Sequence, residues 1–133
     1  MRLLRIAAFL ALSFTVAACA PSSTLFKPLS SAAQAANPVP LTVGQRSEVE
    51  GMDVWRNGGP DREYREIGRI EDYGDSSVFA RNRRMRDVVT LAAEKGGDAV
   101  VAVRSDASGC APNRIGGANC TDKRVFVVIA YTE

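Results

Sequence analysis

The sequence contains no histidine. That absence removes the base of a serine or cysteine triad and the commonest neutral metal ligand. Cysteine is scarce, with only Cys19, Cys110 and Cys120. The last two, with no imidazole to join them, are too few for a zinc site. The C-x-x-C spacing of a redox pair is missing as well. No acidic residue precedes Glu48. No apolar run reaches the roughly 20 residues of an ordinary membrane span. Neither glycine pair suits phosphate cradling, because Gly58-Gly59 precedes a strand and Gly96-Gly97 follows a helix instead of opening one. These absences lead to the expectation of a protein that is not an enzyme and carries neither metal nor cofactor.

What is present begins at the amino terminus. Arg2 and Arg5 are the only charges before Lys27, and an apolar stretch from Ile6 ends in Val16-Ala17-Ala18-Cys19. A basic start, a short apolar run and small residues are the layout of a secretory signal, expected over 1–18. Val16-Ala17-Ala18-Cys19 resembles the lipobox of bacterial lipoproteins. That resemblance implies a diacylglyceryl group on the Cys19 sulfur, cleavage before Cys19 and acylation of the new amino terminus. Each buried CH₂ of such chains contributes about 0.8 kcal/mol, so two or more chains anchor stably. Ala20 stands where an inner-membrane retention aspartate would be, which implies the outer membrane. The alternative is a cut after Ala20, releasing a soluble periplasmic protein. The signal holds two of the 17 basic residues and none of the 15 acidic ones. The remainder is electrically neutral, so no nucleic-acid partner is expected.

Residues 19–46 carry Pro21, Pro28, Pro38 and Pro40 among serines and alanines. That composition predicts a lipidated tether. Residues 47–133 are expected to fold as one small α+β domain. Strands are predicted at 49–55 and 64–70, joined as a hairpin through the turn signal Asn57-Gly58-Gly59-Pro60-Asp61. Gly68 predicts a bulge in the second strand. A helix follows, capped by Asp75, Ser76 or Ser77. Val78, Met85, Val88, Val89 and Ala92 are expected on one side of it, and Gly96-Gly97 stops it. Apolar strands at 99–103 and 125–131 complete a strand-strand-helix-strand-strand sheet with one packed helix. Both are apolar on two faces, so something must cover the second face. The candidates are the loop expected at 105–123, the proline-rich arm or another chain.

Cys110 and Cys120 are ten apart and form an even pair in an exported chain. A structural disulfide is expected, with redox and metal roles as alternatives. Glu63, Glu66, Glu71, Asp72 and Asp75 cluster near the second strand, where Arg62, Arg65 and Arg69 are interleaved to neutralise them. A solvated face is expected there in preference to acid–base chemistry. Arg81, Arg83, Arg84 and Arg86 form a candidate interaction patch, or simply the wet side of an amphipathic helix. Trp55 is expected in the core.

Tyr64-Arg65-Glu66-Ile67-Gly68-Arg69-Ile70, a helix, Gly96-Gly97-Asp98-Ala99-Val100-Val101, a cysteine-bearing loop and a last apolar strand together resemble the RcsF-like envelope-stress lipoproteins. The resemblance covers about residues 49–131. It implies a small α/β domain that works by protein–protein contact in the envelope, partly through outer-membrane barrel proteins. The sensor of that family has four cysteines in two disulfides, whereas only Cys110 and Cys120 stand in this domain. The functional expectation is a membrane-anchored lipoprotein acting as sensor, adaptor or structural factor. The alternative is a binding module for lipopolysaccharide, peptidoglycan or a metal.

Overall fold

The computed structural model describes residues 23–133. The expected signal segment and Cys19 lie outside the described residues. The elements are β1 (Ser23–Pro28), α1 (Ser31–Ala36), β2 (Gln45–Val49), β3 (Met52–Arg56), β4 (Tyr64–Asp75), α2 (Val78–Glu94), β5 (Ala99–Pro112) and β6 (Ala118–Tyr131). The six strands form one mixed sheet in the order β1-β4-β6-β5-β3-β2. Neighbours pair antiparallel, except β3 and β5, which are parallel. The α+β class and the single packed helix hold, but the strand count and order differ from expectation.

The predicted strand at 49–55 is two strands. Glu50 (φ 50°) and Gly51 (φ 80°) reverse the chain, so that Val49 lies opposite Met52. Positive φ at both central residues is the geometry that suits a two-residue hairpin. The predicted pairing of 49–55 with 64–70 does not occur, because β5 and β6 lie between β3 and β4. The physical reason is burial on two faces. Val100, Val128 and Phe126 face α2, while Ala99, Val101, Val127 and Ile129 face the other way. Strands that are apolar on both faces take the centre of a sheet and displace less apolar ones outward. The bulge at Gly68 is found where expected, as a register shift between Glu66 and Gly68.

The segment predicted as a tether is partly built into the domain. β1 pairs with β4 from Ser23↔Tyr73 to Pro28↔Gly68. The Phe26 ring lies over Gly68, where any Cβ would overlap it. Farther along, Val39 is buried against Trp55, Val101, Val127 and Ile129. The amide of Gly59 donates to the Thr42 carbonyl and that of Gly44 to the Gly59 carbonyl. Phe26 packs on the α2 side, whereas through Val39 the arm helps to cover the second face. The 105–123 segment does not, since it is the outer half of a long β5–β6 hairpin.

α2 starts where predicted. The Ser77 hydroxyl accepts from the Ala80 amide at 3.4 Å, and the Asp75 carboxylate accepts from the Ser77 amide at 2.7 Å. It ends in a Schellman motif, with Gly97 N–H donating to Ala92 and Gly96 N–H to Ala93. Met85, Val88, Val89 and Ala92 pack on the sheet, each larger side chain contributing about 1.5–3 kcal/mol. Val78 does not join them and is 72% exposed. It precedes the point at which the helix meets the sheet.

An arginine-lined crevice

The parallel pairing of β3 and β5 runs from Asp53↔Ala99 to Trp55↔Val101 and then stops. Beyond it, Asn57 (φ 57°) and Gly58 turn the chain away from β3. On the other side, β5 shifts register between Ala102 and Arg104. Two strands that part at their carboxyl sides leave a gap, and open sheets commonly bind ligands in such gaps. The first half of α2 passes beside it. The result is an open cavity of about 690 Å³, within the size range of small-ligand sites.

Its apolar part is Val49, Met85, Ala102, Val103 and Phe126. Arg56, Arg81, Arg86, Arg104 and Arg124 line the rest, with Asn57, Asn82 and Ser105 between them. No carboxylate lines it among the described residues. The arginines come from β3, α2, β5 and β6, so only the fold brings them together.

Two of them are held from beneath. Asp72 on β4 and Asp122 on β6 are buried, and Arg84 of α2 lies between them, 2% exposed. Arg84 donates to both oxygens of Asp72 through Nε and Nη2, and through Nη1 to Asp122 at 2.7 Å and to the Asp75 carbonyl at 2.6 Å. Arg124 donates to Asp72 at 2.7 and 2.9 Å. Arg81 donates to Asp122 at 2.7 Å. Burial alone would push the Asp122 carboxyl up, but the hydrogen bonds and charges of Arg84 and Arg81 outweigh it and hold the group below the usual carboxylate range. Burial likewise opposes the charge on Arg84, and its bonds to Asp72 and Asp122 outweigh that, raising it. Only Arg84 of the three cations is buried, while the Arg124 and Arg81 side chains reach outward, 14% and 47% exposed. The two buried carboxylates are thus fully paired, as buried charges must be.

The other rim arginines are looser. Arg104 pairs with Asp106 at 2.5 Å, and Arg86 faces Glu50 at 3.8 Å, both on exposed side chains. Arg56 donates to the Ser47 hydroxyl at 2.8 Å and pairs with no carboxylate among the described residues.

The predicted patch of Arg81, Arg83, Arg84 and Arg86 is thus split. Arg81 and Arg86 reach the crevice, Arg83 is exposed outside its lining, and Arg84 is no surface residue at all. The signal for Arg84 was its spacing: Ala80, Arg84, Val88 and Ala92 recur every four residues along the buried stripe. Arg56, Arg104 and Arg124 carried no such signal, since they stand on three separate strands. The predicted acidic cluster is dispersed. Asp72 is in the buried node, Glu71 pairs with Lys27 and Lys123, and Glu66 accepts from Gln34. Trp55 is buried and donates to the Tyr131 hydroxyl at 3.0 Å. Cys110 and Cys120 are bonded, directly opposite each other on β5 and β6.

Comparison with protein-family models, curated proteins and solved structures finds no match.

Proposed function

We propose that this chain is an exported lipoprotein, anchored through Cys19 at the periplasmic face of the outer membrane, whose domain works without chemistry of its own by binding an anionic envelope ligand. The observation that carries the binding role is the crevice: five arginines from three strands and one helix converge on one concavity that no carboxylate lines among the described residues. Convergent polar groups around an apolar floor are what a ligand site needs. The sequence features at 1–19 support the anchor, and the resemblance to RcsF-like lipoproteins supports the envelope.

A second reading, contact with an envelope protein, rests on a different observation. Val78 and Phe79, in the first turn of α2, are 72% and 90% exposed. Adjacent exposed apolar side chains are candidates for a protein contact.

One experiment separates the two. A photo-crosslinking residue is placed at Asn82, beside the crevice, or at Phe79, in cells expressing the full chain. Capture of a small anionic molecule from position 82 supports the binding module. A discrete protein adduct from 79, with nothing from 82, replaces it by the adaptor reading. Intact mass of the mature product tests the anchor, because an unacylated amino terminus removes it.

A further inference from the structure

We infer that the crevice takes a phosphate-bearing ligand, with the phosphoryl group held among Arg56, Arg81, Arg104 and Arg124. This deepens the anion-binding reading and rests on it.

Charge decides the class. The guanidiniums at the site are Arg56, Arg81, Arg84, Arg86, Arg104 and Arg124. Their carboxylate partners are Asp72, Asp122, Asp106 and Glu50. Six cations against four anions leave two positive charges unmatched. A single carboxylate would neutralise one of them. A phosphomonoester carries about −1.5 to −2 at pH 7 and three acceptor oxygens, so it matches the residual charge and accepts from several guanidiniums at once.

Geometry agrees. Guanidiniums bind phosphate as planar forks, which gives direction as well as charge. Arg81 and Arg124 have their forks fixed by Asp122 and Asp72 below, so little rotamer freedom remains to be lost when an anion arrives. Arg56 ends β3 and Arg104 follows the register shift of β5, so both stand beside the gap where the two strands part. Asn57, Asn82 and Ser105 add neutral polar groups between the guanidiniums. Val49, Met85, Ala102 and Phe126 make a floor that is not charged at all. A bare ion would leave that floor wet, so the rest of the ligand offers an apolar or carbohydrate face. The volume of the crevice suits a headgroup and is small for a folded partner.

The test uses the full chain, isotopically labelled, in non-ionic detergent micelles, followed by amide chemical shifts. The probes are inorganic phosphate, phosphatidic acid dissolved in the micelles, and polyglutamate. Phosphate and the micellar phosphatidate are expected to shift Asn57, Asn82 and Ser105 saturably. Arg56→Ala and Arg104→Ala are expected to weaken that binding about tenfold each, the loss of one charge-assisted contact. Arg65→Ala, an exposed arginine on β4 outside the crevice, is expected to leave it unchanged. Tighter binding to micellar phosphatidate than to free phosphate identifies a lipid headgroup as the source, and equal binding identifies a soluble phosphate. If Arg65→Ala weakens binding as much as Arg56→Ala, the phosphate inference fails. If polyglutamate shifts the crevice amides and phosphate does not, the phosphate class is wrong and the anion site survives. If no probe shifts them, both fall.

Discussion

The two halves of the β5–β6 hairpin belong to one pair of strands, meet at the register shift between Ala102 and Arg104, and are held by different forces. In the inner half, Ala99, Val100 and Val101 face Val127, Val128 and Ile129, and all six are fully buried. Apolar burial on both faces of the sheet is enough to hold it. In the outer half, from Ser105 to Pro112 on one strand and Ala118 to Arg124 on the other, most side chains are exposed. Little apolar area is removed from water there. Two other fasteners stand in its place: the Cys110–Cys120 bond near the tip and the buried Arg84–Asp72–Asp122 node at the junction. The crevice opens at that junction, where the apolar ladder ends and the charged one begins. A binding site placed there can use the rigid floor of one half and the cations of the other.

Removing the node breaks the comparison most severely. Arg84→Ala leaves Asp72 and Asp122 buried without their shared partner, and losing one member of a buried ion pair costs about 3–5 kcal/mol. Urea unfolding followed by circular dichroism measures it. A loss under about 1 kcal/mol would show that water replaces the guanidinium and that the outer half does not depend on it. Next comes the inner half. Ile129→Ala removes a fully buried side chain and is expected to cost about 2–5 kcal/mol. Here the loss is global, so hydrogen exchange accelerates across β4, β5 and β6 together.

The disulfide sharpens the contrast instead of breaking it. Replacing Cys110 and Cys120 together by serine is expected to cost at most about 2–3 kcal/mol, the chain-entropy value for so short a loop. The distinguishing feature is location. Amides near 106–122 lose protection while Val100 and Val128 keep theirs, because the inner ladder does not need the cross-link. Equal acceleration at both ends would mean that the hairpin is one cooperative unit.

Acid acts on the same junction more gently. The folded Asp122 carboxyl titrates below its ordinary value. Its contribution is therefore present above the unfolded carboxylate value, near pH 4, and is lost as pH falls through the lower folded value. Melting temperature is expected to stay level from pH 7 to about pH 5 and to fall below about pH 4. Asp122→Asn is expected to lower stability at neutral pH and to flatten that acid limb. An unchanged acid limb in this variant would place the sensitivity elsewhere.

These differences also explain what could be read from the chain. The inner half was legible, because Val100-Val101 and the run from Val125 to Tyr131 advertise burial without alternation. So were the helix and its ends, since Ser77 and Gly96-Gly97 act locally. The outer half was not, because glycine, proline and asparagine hide a strand whose pairing is dictated by its continuous neighbour. β1 was hidden for the same reason: Ser23–Pro28 is strand only because β4 offers an edge and Gly68 offers room for Phe26. At the site, Arg81 and Arg86 were found as surface cations of one helix. Arg56, Arg104 and Arg124 were not, since their convergence depends on β3 and β5 being parallel neighbours, a pairing fixed only when the centre of the sheet is filled.

The smallest effect is expected at the tip, and it is the cleanest check on the contrast. Ile115 sits at the turn of the hairpin and is 92% exposed. The turn is held by Asn113, whose side-chain oxygen accepts from the amides of Ile115 at 3.2 Å and Gly117 at 2.8 Å. Neither bond uses the Ile115 side chain. Ile115→Ser therefore removes no burial and no hydrogen bond, and the change in stability is expected to stay within about 0.5 kcal/mol. The crevice lies at the far end of the outer ladder, so phosphate binding is expected to be unaltered. A larger loss of stability would mean that the tip is covered in solution, by a second copy or by a partner, and the outer half would then need a third fastener to account for it.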